Sequence, residues 1–197
     1  PQSVDGRLFV ILGKSERPEP RQGAGRTGMN SPPIFARDVT GLTPQKAGTI
    51  DAACVAFPLG SLNDVKPGEY FVQAVLDINQ DIKNLNAPGN LYSKPIKLQL
   101  DPAKSGAVKL QLTEQLSADA LPPETELVKF IKLKSELLSK FWGRPIYLRA
   151  GVILPRDFAK EPQQHYPVRV HIGGYGSRYT GVQRMMASGS GFQKTWM

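Results

Sequence analysis

The sequence predicts a mostly β chain: an N-terminal antiparallel β-sandwich over residues 1–120, then the opening strands of a second sheet over residues 121–197. Three observations predict it. Short apolar runs recur along the chain, several with polar residues at alternate positions, the period of a half-buried strand. Seventeen prolines and nineteen glycines lie between those runs as punctuation, as turns require. The first part of the chain shows no three- and four-residue helical spacing.

Taken in order, Gly6 to Gly13 reads as a first strand ended by glycine. Lys14 to Pro33, rich in Arg, Pro and Gly, is a long surface loop. Pro33 to Val39 is a second strand. Thr49 to Phe57 is a third, with Ile50, Ala52, Cys54 and Ala56 at alternate positions. Leu59 to Val65 is a connection, and Lys66-Pro67-Gly68-Glu69 is a turn: proline presets the first corner and glycine supplies the second. Tyr70 to Asp77 is the strongest strand of this half. Ile96 to Leu100 and Val108 to Leu112 alternate apolar and polar residues, as antiparallel strands with one wet face do. Ser117 to Glu126 is a linker.

Beyond the linker, Lys129 to Lys134 alternates, and its Ile and Phe favour a strand over a helix. Ser135 to Trp142 is a turn or short helix broken by Gly143. Pro145 to Leu154 is a strand stopped by Pro155, and Arg156 to Tyr166 is a polar loop. Val168 to Ile172, bounded by Pro167, reads as a short buried strand that empties into Gly173, Gly174 and Gly176. Tyr179, Val182, Met185 and Met186 have the spacing of a short amphipathic helix packed on a sheet.

Composition limits the function classes. A length of 197 residues suits one ordinary domain or two small ones, and 40% hydrophobic residues argue against wholesale disorder. The formal net charge is +8, but the Lys and Arg are scattered without an aromatic-interleaved cluster, so a solvated basic surface is expected and nucleic-acid binding is not. No run is long enough to span a membrane. The single cysteine, Cys54, lies in an apolar run, where a buried free thiol is expected, and no intrachain disulfide is possible. The chain begins at Pro1 rather than Met, which fits a processed N-terminus and a secreted or periplasmic protein. It stops at Trp196-Met197 with no closing signal, so further polypeptide is expected after Met197.

Asp77, Asn79 and Asp81 place hard oxygen ligands at alternate positions, which suits Ca²⁺. An EF-hand would need Gly and Glu where the chain has Ile82 and Pro88, and a polar turn held by Asx hydrogen bonds competes with the metal reading. No other cofactor is indicated. Ser188-Gly189-Ser190-Gly191 is a distant look-alike of a nucleophile motif, better read as a loop because Gly is missing two residues before Ser190 and no strand precedes it.

Two resemblances bear on function, and together they span somewhat more than half of the chain. Phe57-Pro58-Leu59, Leu62, Pro67-Gly68-Glu69-Tyr70 and the closing Asp77-Ile78-Asn79-Gln80-Asp81 resemble a transthyretin-like or immunoglobulin-like β-sandwich of the kind found as an accessory domain in bacterial proteins. From Lys134 on, the chain resembles the start of an esterase of the α/β-hydrolase superfamily. The residues that carry this are Lys134 to Ser139, Gly143-Arg144-Pro145-Ile146-Tyr147-Leu148, Val152-Ile153-Leu154-Pro155 with Phe158, and Tyr166 to Gly176.

That resemblance implies the first strands of an α/β-hydrolase sheet, incomplete here. It implies Gly174 and Tyr175 as oxyanion-hole amides, Gly173 and Gly176 as the residues that permit the turn, and His171 as a ring that braces it. It also implies a nucleophilic Ser, an acid and a base beyond residue 197, so that the chain alone is inactive; its partner is the remaining polypeptide and its substrate a small-molecule or glycan ester. The competing reading is a carbohydrate- or protein-binding module using Tyr92, Trp142, Tyr175 and Tyr179.

Overall fold

The computed structural model describes residues 3–24, 30–118, 120–174 and 177–196. The chain divides into two compact units, Pro1–Asp119 and Ala120–Met197. The first contains β1 (Val4–Gly13), α1 (Pro20–Gly23), β2 (Ile34–Leu42), β3 (Val55–Phe57), β4 (Gly68–Asp77), β5 (Leu91–Tyr92), β6 (Ile96–Leu100) and β7 (Glu114–Gln115). The second contains β8 (Val128–Lys134), α2 (Glu136–Trp142), β9 (Tyr147–Ile153), α3 (Val182–Met185) and α4 (Gly191–Trp196). The class is mostly β, as the spacing of apolar runs predicts.

Hydrogen bonding joins the strands of the first unit into one antiparallel sheet of seven, running β3-β2-β1-β4 and then β5 and β7, with β6 beside the start of β4. β4 is long enough for two partners on one side. Gly68 to Val72 pair with β6, and Val75 and Leu76 pair with β5. β1 lies on its other side, with Leu12 opposite Val72 and Ile11 opposite Gln73.

Side chains alternate across such a ladder, so the register sorts the core. One face gathers Leu12, Phe35, Tyr70 and Val72 over Val65, with Ile50, Leu59, Leu62 and Leu110 packed around them. The other face holds Ile11, Gln73 and Val75, all fully buried, so the central strands are covered on both sides. α1 contributes to this second cover. Gly13 permits its approach, because a Cβ there would sit 2.8 Å from the Pro20 ring.

Three strand expectations do not hold, each for want of a partner backbone. Of Thr49–Phe57 only Val55–Phe57 pairs, against β2. Upstream, Asp51 turns the chain: its carboxylate accepts from Ala53 N–H at 2.9 Å and pairs with Arg37, while Cys54 N–H closes on the Asp51 carbonyl. Val108 to Leu112 keeps its alternation, with Leu110 packed on the core, but has no ladder; pairing resumes only at β7.

The third is Val168 to Ile172. It is not a strand and it is not buried: Val168, Val170 and Ile172 are 87%, 80% and 88% exposed. A run of β-branched residues reaches the interior of a sheet only when strands flank it. The described residues of the second unit supply β8 paired with β9 alone, in the register Val128–Ile153 to Lys134–Tyr147.

That hairpin has two unlike faces. On the face of Phe130 and Gly151, Tyr179 packs edge-to-face on Phe130 at 6.0 Å and Val182 lies against Gly151, which leaves no room there for a Cβ. Tyr179 and Val182 thus pack on the sheet as their spacing predicts, whereas Met185, read onto the same face, is exposed. On the other face Ile131, Leu133 and Leu148 stay exposed. α2 links the strands. Ser135 caps its N-terminus by accepting from Leu138 N–H, and Gly143 ends it at φ 64°, a left-handed conformation that costs glycine little.

Candidate functional site

The residues from His171 to Gly174 have no regular secondary structure, are exposed, and follow the unpaired apolar run. Gly173 is a steric requirement. A Cβ there would meet the Ser177 side chain at 2.6 Å. Ser177 N–H donates to the Gly174 carbonyl at 3.0 Å, bringing these two residues together. Among the described residues, none comes within 4 Å of where a Cβ on Gly174 would project. His171 is exposed beside them. Tyr175 and Gly176, the other residues assigned to this turn, lie outside the described residues.

The Ser190 hydroxyl has a structural task. It accepts from Gln193 N–H at 3.0 Å at the start of α4 and donates to the Met185 carbonyl. Both capacities of the hydroxyl are used, and the loop reading of this segment becomes a helix cap. At the far end of α4, the Trp196 indole N–H donates to the Leu154 carbonyl at 3.0 Å, tying the helix to the end of β9.

In the first unit, Asp77 ends β4, and Asn79 and Asp81 follow it in an Asx-turn loop. The Asn79 side-chain oxygen accepts from Asp81 N–H at 2.8 Å and Ile82 N–H at 2.7 Å, while its amide nitrogen donates to the Pro88 carbonyl at 2.8 Å. Asp77 accepts from Asn79 N–H at 3.3 Å. Asn90, fully buried, takes Ile78 and Asn79 N–H on its side-chain oxygen. The amide of Asn79 is therefore committed to shaping the loop. Among the described residues no three His, Cys, Asp or Glu side chains converge as metal ligands.

A buried polar cluster lies under α1, within the stretch read as a surface loop. Arg21 is buried, and its backbone N–H donates to Gln73 Oε1 at 2.9 Å. Its guanidinium donates to Glu19 at 2.7 Å and to Asn86, and lies over the Tyr92 ring at 4.4 Å. Gln73 Nε2 in turn donates to Glu19 at 2.8 Å and to the Ser93 carbonyl at 2.9 Å. Burial pushes the Glu19 carboxyl up, but the hydrogen bonds from Gln73 and Arg21 and the Arg21 charge more than offset it, leaving it below its ordinary value. A buried cation needs such partners. Arg17, Glu19 and Arg21 alternate with prolines, and only that crowding of charge beside proline could have hinted at a fixed loop.

No family model matches the chain. Searches of curated proteins and of solved structures likewise found no match. The site readings therefore rest on the residues themselves.

The aromatic residues considered for a binding face have unlike roles. Tyr92 is half-buried under Arg21, and Tyr179 is half-buried on Phe130. Trp142 is exposed on α2 and packs edge-to-face with Phe141 at 5.4 Å. Cys54 is half-buried with its thiol pushed up by burial, so it is a poor nucleophile at neutral pH.

Proposed function

We propose that this chain is the N-terminal portion of a serine-type carboxylic-ester hydrolase, secreted or periplasmic, whose nucleophile, acid and base lie beyond residue 197. The observation that carries this reading is the order of segments from Lys134 to Gly174, which ends where Gly173 can bear no side chain against Ser177. In the proposed enzyme Val168 to Ile172 becomes a strand once neighbouring strands flank it, and its apolar side chains become buried. Gly174 N–H then points at the carbonyl oxygen of a small-molecule or glycan ester. As the nucleophile adds and the oxygen gains charge, that amide and its neighbour donate to it, an effect worth several kcal/mol in a site closed to water.

The test has two parts. The chain alone, incubated with p-nitrophenyl acetate and with a fluorophosphonate probe, is expected to give neither turnover nor adduct. A polypeptide that continues past Met197 is expected to hydrolyse the ester and to take the probe on a serine in the added part. Turnover by the chain alone, with an adduct on one of its own serines, overturns the proposal. In the longer polypeptide, Gly174→Pro, which removes the donor, is expected to cost about a hundredfold or more in kcat.

A further inference from the structure

The chain's positive charge is not evenly spread. Of its 25 Lys and Arg, 12 lie in Ala120–Met197, against 5 of its 17 Asp and Glu, so this unit carries +7 of the net +8. Within it, the stretch from Lys132 to Arg149 holds five cations (Lys132, Lys134, Lys140, Arg144 and Arg149) and one acid, Glu136. Glu136 is already engaged by Lys134 at 3.1 Å.

The geometry concentrates these charges. Lys132 and Arg149 are cross-strand partners, so two cations stand opposite each other on one face of the hairpin. Like charges in that position repel. Neither has a carboxylate partner among the described residues. Lys132 Nζ instead lies 4.2 Å from the centre of the Tyr147 ring. An external anion between Lys132 and Arg149 would relieve the repulsion.

Beside this charge stands α2, fastened to the hairpin end by Ser135 N–H to the Ile146 carbonyl and by Ile146 N–H to Ser139 Oγ, both at 2.9 Å. Its apolar side chains point outward: Leu137, Phe141 and Trp142 are 85%, 78% and 62% exposed. Leu137 and Phe141 are one turn apart and share a side of the helix. Side chains this exposed form a projection rather than a groove, so they offer a protein partner no concave seat. A lipid headgroup layer needs none. It admits projecting Leu and Phe, holds Trp at its boundary and supplies anions to the surrounding cations.

We propose that α2 and the adjoining end of the β8–β9 hairpin form a peripheral membrane-binding surface. Leu137, Phe141 and Trp142 enter the interfacial layer, and Lys132, Lys140 and Arg149 engage anionic lipid headgroups. The surface lies on the bilayer and does not cross it: no helix among the described residues is long and apolar enough to span. This inference does not depend on the esterase reading, since binding is measured without hydrolysis.

The test is co-sedimentation of the full chain with vesicles of phosphatidylcholine, alone or with about 30% phosphatidylserine. The expected result is binding to the anionic vesicles, little to the neutral ones, and release by high salt. Trp196→Phe leaves Trp142 as the reporter, and its emission should shift to the blue on binding. Lys132→Gln and Arg149→Gln should each weaken binding about fivefold. Phe141→Asp and Leu137→Gln, both at exposed positions and both checked by thermal melting, should abolish it.

Four results overturn the proposal. One is failure to bind anionic vesicles. A second is binding that persists in both α2 variants. The third is a concentration-dependent dimer that Phe141→Asp dissolves and vesicles leave intact, which assigns the surface to a second copy of the chain. Single-stranded DNA that displaces vesicles and still binds Phe141→Asp would likewise reassign the cations to nucleic acid.

Discussion

The backbone amide of Arg21 donates to the side chain of Gln73 at 2.9 Å, 52 residues away in sequence and in the fully buried centre of β4. One side chain thereby pins α1 to the sheet, while its amide nitrogen holds Glu19 and the Ser93 carbonyl. Gln73→Leu keeps the volume but leaves three polar groups without this partner. A loss of about 2–4 kcal/mol is expected in urea unfolding, since each unsatisfied buried group costs about 1–3 kcal/mol and some regain water. A change below about 0.5 kcal/mol would show that the cluster is incidental.

Glu19 gives the same cluster a pH dependence. Its folded-state carboxyl titrates below the ordinary 4.5, chiefly because the Gln73 and Arg21 hydrogen bonds outweigh burial. A depressed acid contributes stability that is present above its unfolded pKa and is lost as pH falls through the folded one. The wild-type melting temperature should therefore fall more steeply than that of Glu19→Gln as pH drops below about 4.5. Parallel curves for the two proteins would remove Glu19 from the acid response.

Gly173 and Gly174 should respond differently to the same substitution. Gly173→Ala drives a methyl group into Ser177, whereas Gly174→Ala meets none of the described residues. The first is expected to destabilise the second unit by about 1–3 kcal/mol and the second by less than about 1 kcal/mol. Ser177→Gly should rescue Gly173→Ala, because it removes the atoms that clash. Equal effects of the two alanines, with no rescue, would deny the close approach.

Ser190→Ala tests whether that hydroxyl is a cap or a nucleophile. Loss of the Gln193 and Met185 bonds should cost about 1 kcal/mol in thermal melting. In any longer polypeptide that hydrolyses esters, kcat should be unchanged. A collapse of kcat would make Ser190 part of the chemistry.

The Asp77 loop separates its two readings by calcium. With the Asn79 amide engaged by Asp81, Ile82 and Pro88, millimolar Ca²⁺ is expected to leave the melting temperature unchanged, and Asn79→Ala to lower it. A calcium-dependent rise that disappears in Asp77→Asn and Asp81→Asn would establish the metal site instead.

Features decided by neighbours in sequence were legible without coordinates. The alternation of Ile96–Leu100 and the stop at Gly143 each depend on a few consecutive residues, and the fold uses them as read. The Lys66–Glu69 turn is shorter than read, because Gly68 and Glu69 already pair with Leu100 and Gln99 in β4. The charge asymmetry was also present in the sequence, since residues 121–197 carry +7 of the net +8.

What the tertiary structure decided is which β-prone runs find a partner and which polar side chains are buried. Residues 50–54, 108–112 and 168–172 have the composition of strands. Asp51 turns the first onto Arg37, the second packs Leu110 without a ladder, and the third stays exposed. Strand period fixes which side chains share a face but carries no information about whose backbone lies alongside, because a strand is completed by hydrogen bonds to another segment. Arg21 is buried for the corresponding reason: its partners Gln73 and Asn86 stand far along the chain, and only folding brings them to it.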